Sequence, residues 1–322
     1  MAVAIAVFFL ILLPVLALVL DAGLVYEERR ELQNGADAAV LAVAHSCARG
    51  SCDPALADEY TTANAITDGA ANVHTLTVDT GAGEVHSITE SEDPDGNLSM
   101  SLRFAQLFGM DATTVYARAT ARWGSLATAS TIPWIISYCD LDKALEDQGG
   151  YRAMPPYPSP GEVGAIITFH DTQTDVEDLE EDERCDRHPG FDEDGDEFLP
   201  GGFGKLQVDE NCRVTTYTEG GEVWAPVQTG VSAPPSHRCL AINTVVTIPI
   251  FVDFRIVAGS DEYRIGGYAA FYLTGYRMPG YAANPPCGGS ETCISGFFTQ
   301  SAVSDGEFGG EDFGVSLVKL TG

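Results

Sequence analysis

The chain has 322 residues, 45% of them hydrophobic, and 47 acidic against 17 basic side chains give it a formal net charge of −30. This hydrophobic content excludes a chain that is disordered throughout, because it is enough to build folded cores. The negative charge excludes nucleic acid as a partner and disfavours anionic lipid headgroups, because phosphates repel a polyanion.

The first twenty residues are uncharged and strongly apolar, and the first charge is Asp21. Twenty helical residues rise about 30 Å, the thickness of the hydrocarbon core of a bilayer. Pro14 removes one backbone hydrogen bond, a defect that membrane helices tolerate. We therefore expect a transmembrane helix over residues 1–22. The alternative is a cleaved signal peptide with a small-residue site before Gly23.

Helical periodicity continues beyond the apolar stretch. Val25, Leu32, Ala36, Ala39 and Val43 recur at spacings that place them on one helical face. Charged side chains between residues 27 and 31 cover the other faces. The pattern predicts one helix from Met1 to about Ala44, and the alternative is a membrane anchor followed by a separate surface helix.

Residues 18–44 read LVLDAGLVYEERRELQNGADAAVLAVA, in which an apolar run, an aspartate-glycine-type step and a charged helix precede Leu-Gln-Asn and Ala-Asp-Ala-Ala. This segment resembles the N-terminus of the TadG-like, or TadE/G-like, Flp pilus-assembly proteins. Residues 133–139 and the pattern from Pro200 to Cys212 resemble segments of the actinobacterial type of these proteins. The resemblance implies a protein of the tight-adherence (Tad) pilus machinery, anchored by a single membrane-spanning helix, with its bulk outside the cytoplasm. The larger relatives carry a von Willebrand factor A domain, but this chain has no Asp-x-Ser-x-Ser motif, so we expect that domain to be absent.

The resemblance also implies which partners the protein has and which residues form its assembly site. The partners are membrane lipid and other Tad pilus or pilin-like subunits. The matching membrane-edge and assembly residues are Asp21, Gly23, Leu32, Gln33, Asn34 and Asp37. We expect Asp21 to mark the membrane boundary, to fix the depth of the helix, or to pair with an amine on a neighbouring subunit.

The chain has eight cysteines, an even number: Cys47, Cys52, Cys139, Cys185, Cys212, Cys239, Cys287 and Cys293. After an N-terminal apolar segment, this number predicts disulfides formed outside the cytoplasm. The short spacings favour Cys47–Cys52 and Cys287–Cys293 as local pairs. The alternative is zinc bound by His45, Cys47 and Cys52. The positive-inside rule opposes export, because Arg29 and Arg30 follow the span and no basic residue precedes it. The cysteines and the resemblance favour export.

A first extracytoplasmic module is predicted over residues 23–124. A mildly helical stretch, residues 54–72, leads to a strand at residues 73–78. Alternating apolar and polar residues predict two further strands, over residues 98–104 and 115–122. A long helix on a small antiparallel sheet would be a pilin-like arrangement, and residues 104–124 again resemble the TadG-like family.

A second, β-rich domain is predicted over residues 125–322, after a linker at residues 124–132. Residues 243–257 and 262–276 are two long β segments that predict a hairpin, with Gly266 and Gly267 marking a bulge or a close approach. Residues 313–320 are predicted as an edge strand. Residues 175–197 hold thirteen acidic side chains and predict a solvated loop. In this loop, Asp192, Asp194 and Asp196 alternate as calcium ligands can, although the positions expected to hold glycine and a bidentate glutamate do not.

The sequence therefore predicts an α+β fold: a long N-terminal transmembrane and stalk helix, a pilin-like helix-on-sheet module, and a β-rich disulfide-bonded domain. We expect a membrane-anchored, extracytoplasmic, pilin-like component of Flp/Tad pilus assembly, at the cell surface or in a pilus. The chain has no G-x-S-x-G, H-E-x-x-H or G-x-x-x-x-G-K-[ST] motif, so we do not expect an enzyme. No cofactor is expected apart from the calcium hypothesis. The alternative function is a surface adhesin or binding protein, with or without calcium dependence.

Overall fold

The computed structural model describes residues 2–65, 70–93, 95–159, 162–168, 174–175, 190–191, 197–199, 203–206, 214, 216–228, 240–257, 260–278, 280–289 and 291–322. Within these ranges, the side chains of residues 2–11, 13, 70, 107–108, 174–175, 190–191, 197–199, 203–205, 228, 256 and 260–261 are not described. The chain forms two compact units, Met1–Trp123 with Val318–Gly322, and Gly124–Leu317.

The first unit is a long helix packed on an antiparallel sheet. Its elements are α1 (Ala2–Ala48), α2 (Leu56–Ala63), β1 (Ala70–Asp79), β2 (Glu84–Glu92), β3 (Met100–Ser101), a short 3-10 helix (Ala105–Phe108), β4 (Ala112–Thr113) and β5 (Tyr116–Thr128), the last of which continues into the second unit. β2 pairs with β1 on one side and with β5 on the other. The C-terminus also belongs here, because the Thr120 amide donates to the Gly322 carbonyl at 2.8 Å.

Helix α1 is continuous, as predicted, and its apolar stripe forms the core of this unit. Leu32, Ala36, Ala39 and Val43 are fully buried. The inward-facing alanines of β5 at positions 117, 119 and 121 are buried as well, which confirms the predicted alternation. Small side chains on the helix and on the strand allow the two elements to pack closely.

The strand predicted over residues 98–104 is largely wrong. Only Met100 and Ser101 are in a strand there, and the chain then turns into the 3-10 helix. The cause is the carboxylate of Asp21, which binds the backbone amides that a continuing strand would direct to a neighbour.

In its described residues, the second unit consists mainly of strands and contains one helix. Its elements are β6 (Trp134–Ser137), α3 (Tyr138–Gln148), β7 (Ala165–Thr168), β8 (Thr174–Asp175), β9 (Gly190–Phe191), β10 (Glu197–Leu199), β11 (Phe203–Leu206), β12 (Tyr217–Glu219), β13 (Glu222–Gln228), β14 (Thr244–Val257), β15 (Ser260–Met278), β16 (Tyr281–Ala283), β17 (Cys293–Thr299), β18 (Ser301–Val303), β19 (Glu307–Phe308), β20 (Glu311–Phe313) and β21 (Val315–Leu320), of which β21 ends in the first unit.

The predicted hairpin is confirmed as β14 and β15, which pair from Thr244 opposite Leu273 to Val257 opposite Ser260. Gly266 lies in a bulge, since its neighbours pair and it does not. A Cβ atom at Gly266 would lie 2.5 Å from a methyl group of Val252, and one at Gly267 would lie 2.3 Å from the Glu311 carbonyl oxygen. Both predicted roles of these glycines, bulge and close approach, therefore occur.

This hairpin is central to the main sheet of the second unit, whose order is β12-β13-β11-β6-β14-β15-β17-β7. Adjacent residues face two separate cores, with Trp134 and Phe271 in one and Ile135 and Ala270 in the other. Helix α3 contributes Leu141 to the first core. The strand predicted over residues 313–320 is present as β21, which begins at Val315, but it is not an edge strand, because it lies between β5 and β18. Residues 311–313 form the separate strand β20, which pairs with β15.

The predicted fold class, α+β with a long transmembrane helix, is wrong. The chain is β-rich, with 47% strand. Within the part of the chain that the structure describes, no helix is long and apolar enough to cross a membrane. The predicted linker at residues 124–132 is also partly strand, because β5 continues to Thr128.

Candidate assembly site

The residues that the family resemblance singles out lie on α1, where the helix reaches its own sheet. Asp21 is only 4% exposed, and its carboxylate accepts four backbone hydrogen bonds. The Arg103 and Phe104 amides donate to Oδ1 at 3.0 and 3.2 Å, and the Phe104 and Ala105 amides donate to Oδ2 at 3.0 and 2.5 Å. Hydrogen bonds to an ionised acceptor are stronger than those between neutral groups.

These amides precede or begin the 3-10 helix, where backbone donors have no partner within the helix. Phe104 is the residue before that helix, and its own side chain makes no capping hydrogen bond. Asp21 supplies the missing acceptor from 83 positions earlier in the chain. It therefore joins α1 to the segment between β3 and β4.

Two more contacts fix the rotation of α1 on the sheet. The Thr89 hydroxyl donates to the Leu32 carbonyl at 3.1 Å, in a buried position. The Gln33 side-chain amide donates to the Asp37 carboxylate at 2.8 Å and to the Arg118 carbonyl at 2.9 Å. Leu32, Gln33 and Asp37 thus act within the unit, together with Asp21.

The other two predicted residues face outward. A Cβ atom at Gly23 would have nothing within 4 Å, and Asn34 is exposed. Gly35, which the sequence reasoning did not single out, is buried against α2, where an added Cβ atom would lie 3.4 Å from the Thr61 carbonyl oxygen. Its position beside the Leu-Gln-Asn run was the available signal for a close helix contact.

The helix turn just before Asp21 exposes a group of apolar side chains. Five of them are 48–62% exposed: Val15, Leu16, Leu18, Val19 and Leu20. Ala17, one turn before Asp21, is buried, so this exposure is confined to part of the helix surface. We call the five side chains the apolar collar. Exposed apolar groups that lie together are typical of interaction surfaces.

The charged part of α1 shows two shifted pKa values. Burial raises the pKa of Glu28, and the neighbouring carboxylate of Glu31 adds to the effect. Burial lowers the pKa of His45, and the positive charge of Arg49 acts in the same direction. Both shifts disfavour the charged form of the side chain.

A disulfide closes the C-terminal end of α1. Cys47 is bonded to Cys52, and the Ser46 hydroxyl oxygen accepts from the Asp53 amide at 2.9 Å in the same turn. Cys287 is bonded to Cys293, so both local pairs that the spacing favoured are present. The bond at Cys47–Cys52 excludes the alternative in which these thiolates bind zinc with His45.

Of the remaining predicted site residues, the structure describes some and not others. Cys139 is disulfide-bonded. Cys185, Cys212 and Cys239 lie outside the described residues, as do Asp192, Asp194 and Asp196, so calcium binding stays a prediction. Among the residues that are described, no group of three or more His, Cys, Asp or Glu side chains is placed to hold a metal ion.

The first unit is thus a long helix packed on an antiparallel sheet, and the N-terminal part of that helix is apolar in sequence. Residues 1–46 match the family model described as "Putative Flp pilus-assembly TadE/G-like", which confirms the resemblance over that segment. The match supports involvement in Flp pilus assembly and a location in the cell envelope or at the cell surface. No curated protein and no solved structure matches the chain.

Proposed function

We propose that the chain is an extracytoplasmic, pilin-like component of Flp pilus assembly, and that the apolar collar binds the helices of other pilus subunits. In this role the protein binds other subunits and contributes to the pilus structure, and it does not catalyse a reaction. Membrane lipid is the second apolar environment that this surface would occupy, before assembly.

The observation that carries the proposal is the change of environment along α1. From Leu32 onward the apolar stripe of the helix is buried on its own sheet, whereas the collar is exposed. Burying apolar surface contributes about 25 cal/mol per Å². A helix that is fixed at one end and exposes apolar side chains at the other is suited to pack against further helices.

Asp21 supports this role as a positioning residue. Its carboxylate is already bound by three backbone amides of its own chain, so pairing with an amine on a neighbouring subunit is not part of the proposal. We assign to Asp21 the task of holding the base of the collar in a fixed orientation relative to the sheet.

The two local disulfides support an extracytoplasmic location, because such bonds persist in oxidising compartments. The excess of acidic residues supports a hydrated, solvent-exposed surface for the rest of the chain.

The experiment is to replace Leu18 and Val19 together by Asp and to express the full chain in cells that assemble the pilus. We expect the variant to fold, because both side chains are exposed, and to lose co-purification with pilus subunits and with the membrane fraction. Tyr60→Asp, at an exposed position of α2 that the proposal does not place in the assembly surface, is the control and should retain both. Undiminished pilus assembly and co-purification of the double variant would refute the proposal.

A further inference from the structure

The second unit contains a groove of about 620 Å³ that is independent of the assembly site. Small-molecule sites in proteins occupy about 300–1,000 Å³. A second groove of about 600 Å³ shares Val163 and Ile166 with the first, so the two adjoin at the edge strand β7. Because the two grooves adjoin, a ligand of several linked units has room in both, whereas a single small ring would fill only one.

The first groove is lined partly by apolar side chains, those of three prolines, Val163 and Ile166, and partly by neutral polar ones. The neutral polar groups are hydroxyls and amides, contributed by Ser159, Asn243, Thr274, Asn284 and Ser295. Each of these groups can both donate and accept hydrogen bonds. Such a lining matches a ligand whose own groups also donate and accept, as sugar hydroxyls do.

The positions of these side chains are fixed by the fold. The Thr274 and Ser295 hydroxyl oxygens lie 3.1 Å apart, and the Asn284 side-chain amide donates to the Thr274 carbonyl at 3.3 Å. Gly275 makes room for this arrangement, because a Cβ atom there would lie 2.1 Å from the Asn284 carbonyl oxygen. Asn243 and Asn284 both have positive φ, at 59° and 44°, a conformation that asparagine tolerates better than most residues.

Two tyrosines provide an aromatic surface next to the groove. Tyr272 lines it, and Tyr157 stacks on Tyr272 with ring centroids 5.5 Å apart. Tyr157 is 60% exposed and lies between Pro156 and Pro158, which restrict its backbone. An exposed, restrained ring can receive the apolar C–H face of a sugar at a low cost in conformational entropy.

The charges in and around the groove favour a neutral ligand over an anionic or a cationic one. The carboxylate of Glu162 is paired with the Arg152 guanidinium and also accepts from the Ser159 amide at 2.9 Å. This pairing lowers the pKa of Glu162, so the carboxyl stays ionised and its charge is balanced. An anionic ligand would be repelled by a chain of net charge −30. Among the described residues that line the first groove, the one carboxylate is that of Glu162, which is already paired, so a cationic ligand finds no free counter-charge there; Asp147 lines the second groove.

We propose that this groove binds a neutral oligosaccharide, with Tyr157 stacking on a sugar ring and Asn284, Thr274 and Ser295 binding its hydroxyls. The site would give the protein glycan-binding activity in addition to its assembly role.

The test is calorimetric titration of the full chain with a panel of neutral hexasaccharides: cellohexaose, chitohexaose, maltohexaose and laminarihexaose. The panel also contains hexagalacturonate as an anionic sugar and a neutral proline-rich decapeptide as an extended peptide. We expect at least one neutral hexasaccharide to bind at micromolar to millimolar concentration, and the anionic sugar and the peptide not to bind.

Two variants locate the site. Tyr157→Ala should weaken binding about tenfold by removing the stacking surface. Asn284→Gly keeps the left-handed backbone accessible and removes the amide, and should also weaken binding. Tyr60→Ala, at an exposed tyrosine of the first unit, is the matched control and should bind as the parent chain does.

Three results would overturn the proposal: no binding of any neutral hexasaccharide at millimolar concentration, binding only of the peptide or of hexagalacturonate, or equal binding by the parent chain and both groove variants. Circular dichroism of each variant establishes that it is folded. If Tyr157→Ala does not fold, Asn284→Gly, at a residue that lines the groove itself, decides the result.

Discussion

At the scale of single residues, Asp21 explains why a charged side chain follows a long apolar run. A buried carboxylate is costly unless it is hydrogen-bonded, and here the amides of Arg103, Phe104 and Ala105 satisfy it. The carboxylate in turn satisfies donors that would otherwise be unpaired at the start of a 3-10 helix.

Replacing Asp21 by Asn should destabilise the first unit by about 1–3 kcal/mol. The substitution removes the negative charge, and it places the side-chain NH2 group, a donor, against backbone N–H groups that are donors too. The measurement is denaturant unfolding, with hydrogen exchange at the Arg103, Phe104 and Ala105 amides as the local readout. Glu27→Gln, on an exposed position of the same helix, should change stability by less than about 0.5 kcal/mol. Equal effects of the two substitutions would contradict the assigned role of Asp21.

His45 makes the stability of the first unit depend on pH. Its pKa in the folded state lies below its ordinary value of 6.5, mainly because the ring is partly buried. The unfolded chain therefore binds more protons near this pH, so stability falls as the pH decreases below about 6.5. We expect the loss of stability between pH 8 and pH 5 to be smaller in His45→Gln than in the parent chain, by chemical denaturation at both pH values. An identical loss in both proteins would refute this assignment.

At the scale of elements, the packing of α1 against α2 depends on Gly35. An alanine there would make ordinary contacts, since the added Cβ atom would lie 3.4 Å from the Thr61 carbonyl oxygen, whereas a larger side chain would have to displace α2. The sequence marks this contact only by a glycine inside a helix, a choice that costs about 1 kcal/mol relative to alanine.

Gly35→Leu should therefore destabilise the first unit by about 1–3 kcal/mol through overpacking. Gly23→Leu is the matched control in the same helix, because its Cβ position is open, and it should be neutral or stabilising. Thermal unfolding compares the two, and hydrogen exchange in α2 locates the effect. A Gly35→Leu protein as stable as the Gly23→Leu protein would show that the contact with α2 does not constrain this position.

Elements set by local periodicity could be predicted from the sequence. The alternating alanines of β5 carry a period of two, and the apolar stripe of α1 carries the helical period. The β14–β15 hairpin is marked instead by two long runs rich in β-branched and aromatic residues. The bulge at Gly266 was also visible, because glycine in a strand marks an irregularity.

The failures arose where distant residues compete with a local pattern. Residues 98–104 alternate like a strand, yet Asp21, more than 80 positions away, captures their amides. Helix α3 was missed although Ser137 and Asp140 are spaced as a helix cap; the Ser137 hydroxyl oxygen accepts from the Asp140 amide at 3.0 Å. The residues lining the groove come from five separate segments, and no local pattern of the sequence connects them.

At the scale of the whole molecule, the two units have different proposed tasks. The first unit carries the family match and the apolar collar, and the second unit carries a β-rich core with a neutral polar groove. The net charge of −30 favours a hydrated surface. The collar differs from that surface because its exposed side chains are apolar. The central claim is that the collar is the surface through which the protein joins other pilus subunits.

The most direct test is site-specific photo-cross-linking in cells that assemble the pilus. A photoreactive phenylalanine analogue is placed at Val19 in the collar, and, as the control, at Tyr60 on α2. The account predicts that the probe at Val19 gives cross-links to pilus subunits, identified by mass spectrometry, and that the probe at Tyr60 does not. Cross-links to pilus subunits from Tyr60, with none from Val19, would contradict the assignment of the collar as the assembly surface.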